Sequence, residues 1–190
     1  MQIRPTLVAA AIALALPMAL GAQERFVTRE RFVLHTSTVP ANAGEQVGIY
    51  LREKTTDPAT ARFEAGESPV GRVVLFVHGG SVSSIPDYDL DYKDYSWMEY
   101  LAGAGFDTFA MDQSGYGRSP RPMMDDPCNM SEADQARVTP GALSGPCAPS
   151  YPHGLTTVQS DWDEMDTVVD YIRELRGVNR VSLVGWSAGW

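Results

Sequence analysis

Ser187 lies between two glycines in the segment "GWSAG", residues 185–189, and a serine in this spacing can act as a nucleophile. The segment follows directly on "VSLV", an apolar run that is typical of a buried strand. At such a strand end the chain turns sharply, and side chains two positions before or after the serine would collide with neighbouring backbone. Gly185 and Gly189 avoid that collision. We therefore predict a nucleophile elbow at Ser187; a glycine-rich turn with a surface serine is the alternative.

A second glycine-rich segment, "HGG" at residues 78–80, follows the apolar run "RVVLFV". A serine that attacks an ester carbonyl creates an oxyanion, which needs preorganised N–H donors. A glycine backbone can supply them because no side chain obstructs a ligand. We predict that the N–H groups of Gly80 and Ala188 form this oxyanion hole. His78 is expected to orient the loop rather than to act as a base.

A third segment, "DQSGYGRS" at residues 112–119, also follows an apolar run. In this order, the three segments resemble the motifs of the α/β-hydrolase superfamily, over roughly residues 28–190. The resemblance implies a mostly parallel sheet with covering helices, Ser187 as the nucleophile, and Gly80 and Ala188 as the oxyanion hole. Dehalogenases and epoxide hydrolases of the superfamily carry Asp at the nucleophile position, so Ser187 excludes them. "HGGSVSS" also lacks the Pro-Gly that usually follows in proline iminopeptidases.

The resemblance is specific for the fold and for serine chemistry, and not for the substrate. Our prediction is hydrolysis of a small-molecule carboxylic ester through a Ser187 acyl-enzyme, and no cofactor is implied. The family's acid and histidine follow the nucleophile, whereas His35, His78 and His153 all precede Ser187. A role for His153 as a substitute base contradicts that order. We therefore expect residues 23–190 to be the N-terminal part of a longer domain, truncated after its fifth strand and inactive alone. A peptidase, a lactonase and a non-catalytic binding protein on the same fold are the alternatives.

The elements that must position these segments are predicted from hydrophobic periodicity and turn residues. Two extended segments at 31–40 and 46–55 predict an antiparallel opening pair. A continuous apolar run predicts a strand buried on both faces at 72–77. Further strands are predicted at 106–112 and, of the buried type, at 180–185, and the element order predicts a mostly parallel sheet. Helices are predicted at 95–105 and 155–177, and the segment 55–71 is predicted to be a loop.

The helix at 155–177 carries the clearest pattern. Thr156 and Gln159 have the spacing of a capping box, and Gly177 stands at the expected C-terminal cap. One apolar stripe is predicted to face the sheet. It comprises Val158, Trp162, Met165, Val169, Ile172 and Leu175.

The N-terminus predicts export. Arg4 precedes an apolar run at 7–20, and small residues follow it, as in a secretory signal peptide that would end near residue 22. A membrane anchor is the alternative, but the run is short for a span of about 20 residues and Pro17 interrupts it. We predict an exported protein, periplasmic or secreted, without a stable membrane anchor.

Cys128 and Cys147 lie in a Pro-rich insertion at about residues 120–154. In an oxidising compartment they are expected to form a disulfide that stabilises the loop by ~3 kcal/mol, with two free thiols as the alternative. Two cysteines without a neighbouring Cys or His pair supply too few ligands for a metal site. The formal net charge of −9, without any Lys/Arg-rich run, argues against nucleic acid as a partner.

Asp87, Asp89 and Asp91 alternate in "DYDLDYKDY", as at the start of a calcium loop. The glycine and the twelfth-position glutamate of an EF-hand are absent from the spacing that follows. We predict a solvated acidic loop near the site. Its tyrosines are candidates for lining a substrate entrance: Tyr88, Tyr92 and Tyr95.

Overall fold

The computed structural model describes residues 25–121, 126–150, 155–187 and 189. The predicted signal peptide, His153 and Ala188 lie outside these residues. The strands are β1 (Phe26–Thr36), β2 (Gln46–Thr56), β3 (Val73–Val77), β4 (Asp107–Met111) and β5 (Ser182–Gly185). The α-helices are α1 (Asp57–Glu64), α2 (Ser84–Tyr88), α3 (Trp97–Gly103), α4 (Glu132–Arg137) and α5 (Val158–Arg176), and one 3-10 turn covers Pro127–Asn129.

The strands form one five-stranded sheet in the order β1-β2-β4-β3-β5. β2 pairs antiparallel with both β1 and β4, whereas β3 pairs parallel with β4 and β5. All strands except β2 therefore run in the same direction, which confirms the predicted mostly parallel sheet after an antiparallel opening. Every residue of β3 and β4 is buried, as the continuous apolar run of β3 predicts for that strand. The carboxyl ends of β3, β4 and β5 meet at one edge, where the three motif segments follow.

Helices cover both faces of the sheet. On one face, Val168 and Ile172 of α5 pack into a cluster with Leu75 and Phe109 of the central strands. On the other, Met98 of α3 packs with Phe76 and Tyr88. This layered arrangement buries the central strands β3 and β4 on both sides, whereas the outer strand β5, predicted to be buried, has no fully buried residue.

The prediction of a loop over residues 55–71 is wrong, because α1 forms there. The Thr56 hydroxyl accepts a hydrogen bond from Ala59 N at 3.4 Å, and Pro58 occupies the first turn. Both are helix-start signals, since a Thr cap satisfies an orphan N–H and proline is preorganised for the first turn. The short helix α2 was likewise not predicted.

The predicted C-terminal cap of α5 is confirmed, and its N-terminal cap lies one residue later than predicted. The capping box is formed by Thr157 and Ser160, one residue later than predicted, with Ser160 N donating to Thr157 Oγ1 at 3.1 Å and Thr157 N donating to Ser160 Oγ at 2.9 Å. Gly177 ends the helix with φ +60°, the left-handed conformation that glycine adopts without strain, and confirms the predicted C-terminal cap.

The predicted apolar stripe of α5 is wrong at three positions. Val158, Trp162 and Leu175 are 64%, 50% and 37% exposed. The fully buried face instead carries two polar residues and two apolar ones: Ser160, Glu164, Val168 and Ile172. The helix is rotated relative to the prediction because Ser160 belongs to the buried cap and Glu164 binds the turn after β4.

The insertion after β4 is organised around one buried side chain. Cys128 and Cys147 form the predicted disulfide, which leaves no free cysteine. Between them, Gln135 of α4 donates to Cys128 O at 3.0 Å and to Cys147 O at 3.1 Å, and its Oε1 accepts from Cys147 N at 3.0 Å. The disulfide and the Gln135 amide therefore join the two ends of the same loop.

A buried ion cluster lies at the sheet edge opposite the motif segments. Arg176 Nε donates to Asp107 Oδ2 at 2.5 Å, and Arg176 also pairs with Glu53, which pairs in turn with Arg31. Asp107 is fully buried, and its Oδ1 has no hydrogen-bond partner among the described residues. Burial raises the pKa of Asp107 to about 7, although the Arg176 charge opposes the shift.

This raised pKa predicts a pH-dependent stability. Between about pH 4 and pH 7 the folded protein keeps a proton on Asp107 that the unfolded chain releases, so this group lowers stability as pH rises through that window. Asp107→Asn removes the effect. We expect the stability of Asp107→Asn relative to wild type to increase between pH 5 and pH 8, measured by urea unfolding of the full-length gene product. Asp170→Asn, an exposed change on α5, is the control. An unchanged difference at both pH values would contradict the prediction.

Candidate active site

Ser187 follows the end of β5 in a strained backbone conformation. Its φ is +54°, in the left-handed region that non-glycine residues rarely adopt, and its side chain is exposed. Gly189 N donates to Trp186 O at 2.9 Å and closes the turn around the serine. Strain of this kind costs of order 1–3 kcal/mol and is concentrated at functional sites. The turn therefore presents the Ser187 hydroxyl at the carboxyl edge of the sheet.

Gly189 packs against the backbone at the carboxyl end of β3. A Cβ at position 189 would lie 2.5 Å from Val77 O and 2.6 Å from His78 O, closer than real Cβ contacts allow. Gly185 is the last residue of β5 and pairs with Val77 of β3. The tight turn after β5 therefore requires glycine at position 189.

Gly79 is a site residue that the sequence analysis missed. A Cβ at position 79 would lie 2.8 Å from Trp186 O and 2.9 Å from Ser187 Cβ. The glycine lets the loop after β3 approach the serine turn at van der Waals distance. The "HGG" pattern predicts backbone open to a ligand, and it carries no signal for the contact between Gly79 and the end of a second strand.

Gly80 follows at the same edge and is exposed. Within the part of the chain that the structure describes, its N–H has no hydrogen-bond acceptor. The next residue, Ser81, has φ +85° and donates its N–H to Tyr116 Oη at 3.4 Å. The hydrogen bond of Ser81 to Tyr116 therefore holds the loop that contains Gly80. Its role as an oxyanion donor stays a prediction, as does that of Ala188.

His78 is fully buried, and the backbone occupies both of its ring nitrogens. Nδ1 donates to Gly79 O at 2.8 Å, and Nε2 accepts from Gln113 N at 3.0 Å. The Tyr116 ring lies against the imidazole, with 4.6 Å between ring centroids. His78 therefore joins the loop after β3 to the turn after β4 and cannot also take a proton from Ser187.

The turn after β4 is organised by the buried carboxylate of Asp112. It accepts hydrogen bonds from Ser84 N at 2.8 Å, Ser84 Oγ at 2.6 Å and Arg118 N at 2.9 Å. Gly117 has φ +47°, and a Cβ there would overlap the Asp112 carboxylate at 1.8 Å. The turn is therefore fixed to α2 and keeps Gln113 against His78.

A proton acceptor for Ser187 is not found among the described histidines. His35 lies in β1, where its Nδ1 shares a 2.8 Å hydrogen bond with Thr167 Oγ1. β1 and β5 are the two outer strands of the sheet, four strand spacings apart, or roughly 19 Å. His78 is occupied as described, and His153 lies outside the described residues.

The prediction of a solvated acidic loop is wrong for Asp89. This side chain is buried, with Lys54 Nζ at 2.6 Å from Oδ1 and Arg52 Nε at 2.6 Å from Oδ2. The Lys54 and Arg52 charges and hydrogen bonds from Lys54 and Ser96 outweigh burial and lower the pKa of Asp89. Asp89 therefore anchors the segment before α3 to β2. Among the described residues, no group of three His, Cys, Asp or Glu is arranged to hold a metal ion.

Tyr88 does not line a surface, contrary to the hypothesis from the sequence. It is buried, donates its hydroxyl to Val77 O at 2.8 Å and stacks on Phe76. Tyr95 does line an apolar groove of about 470 Å³ between α3 and β5, but Ser187 does not. The other lining residues are Phe76, Asp94, Ser96, Trp97, Tyr100, Leu101 and Val184.

Three parallel strands thus end at one edge in a glycine loop, a polar turn and a sharp serine turn, which defines an α/β fold with its candidate site at the carboxyl edge of the sheet. The sequence model of the family described as "alpha/beta hydrolase fold" matches residues 72–189, more than half of the 190-residue chain. The chain belongs to this family. No curated protein matches the sequence. No helix in the described ranges has the length and apolar character needed to cross a membrane.

Three solved structures are similar to the chain. An esterase from Pyrococcus furiosus has 16% identity and a TM-score of 0.38, over 98% of this chain and 49% of that one. A bacterial esterase has 16% identity and a TM-score of 0.45, over 97% and 64%. An alpha-amino acid ester hydrolase has 14% identity and a TM-score of 0.39, over 92% and 24%. The chain thus spans less than two thirds of the length of each.

Proposed function

We propose that the full-length gene product is a serine hydrolase that cleaves a small-molecule carboxylic ester through an acyl-enzyme on Ser187. The observation that carries the proposal is the left-handed Ser187 turn, which Gly79 and Gly189 pack against the end of β3. A strained, exposed serine at the carboxyl edge of a parallel sheet has the placement that nucleophilic catalysis requires.

In the proposed reaction, Ser187 Oγ attacks the ester carbonyl carbon and passes its proton to a histidine that follows Ser187 in the full-length gene product. The N–H groups of Gly80 and Ala188 hold the oxyanion. The alcohol leaves with that proton, and the acyl group remains on Oγ. Water then attacks the acyl carbon, its proton goes to the histidine and then to Ser187, and the acid is released. The scheme uses no cofactor.

We also propose that the protein is exported. The Cys128–Cys147 disulfide supports the proposal because disulfides persist mainly in oxidising compartments. The signal-peptide pattern of residues 1–22 provides a second, independent reason.

A fluorophosphonate probe tests the proposed nucleophile. We expect the full-length gene product to be labelled, with the adduct mapped by mass spectrometry to the peptide that contains Ser187. The 190-residue chain alone should show no Ser187-dependent hydrolysis of a p-nitrophenyl ester, because both described histidines are placed elsewhere. Labelling at another serine, or no labelling of the full-length protein, would refute the proposal. The second result would favour a non-catalytic binding protein.

A further inference from the structure

Glu164 is a buried carboxylic acid on the sheet-facing side of α5. It is fully buried and occupies the same helix face as Val168 and Ile172, which pack in the apolar core. Its Oε2 accepts a hydrogen bond from Ser114 N at 2.9 Å. Its Oε1 has no hydrogen-bond partner among the described residues. An acid in this position is costly to bury, so its contact with Ser114 needs an explanation.

The surroundings of Glu164 favour the neutral acid. Burial raises the pKa of Glu164, the hydrogen bonds from Ser114 oppose the shift, and the charges of Asp161 and Asp163 add to it. The contact that the structure shows is one carboxyl oxygen accepting the Ser114 N–H. A glutamine could offer the same oxygen.

A chain of contacts leads from Glu164 to the serine turn. Ser114 is next to Gln113, whose N–H donates to His78 Nε2 at 3.0 Å. His78 Nδ1 donates to Gly79 O at 2.8 Å. A Cβ on Gly79 would lie within 2.9 Å of Ser187 Cβ, so this loop touches the turn that carries the nucleophile.

Three steps of this chain are buried hydrogen bonds between a side chain and the backbone. The other two are the peptide link between Gln113 and Ser114 and the packing of Gly79 against the Ser187 turn. Glu164 holds the turn after β4 at Ser114 N. The same turn holds the His78 ring through Gln113 N. His78 in turn fixes the "HGG" loop, in which Gly80 N–H is the predicted oxyanion donor. An oxyanion donor stabilises a transition state only within a few tenths of an ångström of its ideal distance, so its supports matter as much as the donor itself.

We propose that Glu164 is a positioning residue for the reaction. It holds the "HGG" loop, residues 78–80, against Ser187 through Ser114, Gln113 and His78. The proposal rests on the proposed function and extends it to a residue of α5. A purely structural role predicts loss of stability only. A positioning role predicts loss of kcat in the molecules that remain folded.

The test compares Glu164 variants of the full-length gene product in p-nitrophenyl ester hydrolysis. Glu164→Ala leaves Ser114 N–H without its acceptor, and we expect kcat to fall about 10- to 100-fold, with KM within about twofold of wild type, because the loop acts on the transition state and not on ground-state binding. Glu164→Gln keeps the acceptor oxygen and should bring kcat back to within about threefold of wild type.

Val168→Ala is the matched control, since it removes buried volume one helical turn away without touching the turn after β4. It should lower the unfolding midpoint and leave kcat per folded molecule unchanged. If Glu164→Ala does not fold, Glu164→Asp replaces it, because the shorter acid cannot reach Ser114 N in the same geometry. Equal kcat for Glu164→Asp and Glu164→Gln would then overturn the inference.

The two proposals fail in distinguishable ways. If Ser187→Ala leaves hydrolysis intact, the nucleophile assignment fails and Glu164 has no such loop to support. If Ser187→Ala abolishes hydrolysis while Glu164→Ala changes stability but not kcat, only the positioning role is refuted. A fall in kcat that Glu164→Gln reverses supports both.

Discussion

Ser187→Ala is expected to lower the kcat of ester hydrolysis by the full-length gene product about 10⁴- to 10⁶-fold, the range seen when a serine hydrolase loses its nucleophile. The variant keeps the predicted oxyanion donors and the substrate contacts but cannot form the acyl-enzyme. KM should change little, because the hydroxyl contributes to bond formation and not to ground-state binding. Initial rates with p-nitrophenyl acetate and butyrate provide the measurement.

The structure also predicts how this variant folds. Ser187 has φ +54°, and alanine tolerates that conformation no better than serine, so the strain stays in place and the unfolding midpoint should change by only a few degrees. A loss of activity with a preserved midpoint separates catalysis from stability.

Ser182→Ala is the matched control, because Ser182 is an exposed serine on β5, five positions before the nucleophile. It should hydrolyse the same esters at the wild-type rate. A Ser187→Ala variant that retains more than about a tenth of the wild-type kcat would assign the reaction to another group and would refute the nucleophile role.

The sheet was predictable because its signal is local and repeated. β3 is apolar at every position, as is typical of a strand buried on both faces, and β4 is apolar at three of its five positions. The hairpin of β1 and β2 was predictable from its turn residues. The prediction of a loop at 55–71 is wrong because the Thr56 cap and Pro58 start α1 there.

Part of the site was beyond sequence reasoning, because its residues act through contacts between distant segments. The spacing in "GWSAG" indicates a turn, but the approach of Gly79 to Ser187 joins residues more than a hundred positions apart. Glu164 was hidden for a similar reason. Hydrophobic periodicity places apolar residues inward, so it predicts that Trp162 of α5 faces the sheet. The residue that is buried is instead Glu164, because its partner Ser114 lies on a distant segment of the chain.

Gly79→Ala is the second change with a large expected effect, because it inserts one methyl group where two strand ends meet. The added Cβ would lie 2.8 Å from Trp186 O and 2.9 Å from Ser187 Cβ. Neither atom belongs to the flexible end of a side chain, so the loop after β3 and the turn after β5 must separate. We expect this separation to lower kcat about 10²- to 10³-fold, comparable to the loss of one oxyanion donor.

The same change should cost about 1–3 kcal/mol of unfolding free energy, as overpacking does in a tightly packed interior. Rates are therefore compared per folded molecule, with the active fraction counted by fluorophosphonate labelling at saturation. A displaced loop predicts slow labelling that still reaches completion, since Ser187 itself is intact. A misfolded fraction predicts labelling that stops early, at the normal rate.

Gly145→Ala is the control, because a Cβ at Gly145, in the disulfide-closed insertion, would meet no atom within 4 Å. It should leave both kcat and labelling unchanged. Normal kcat in Gly79→Ala would show that the loop and the serine turn can move apart without consequence for the reaction. The contact between Gly79 and Ser187 would then be a packing feature of the sheet edge, and the positioning role of Glu164, which acts through the same loop, would lose its route to the nucleophile.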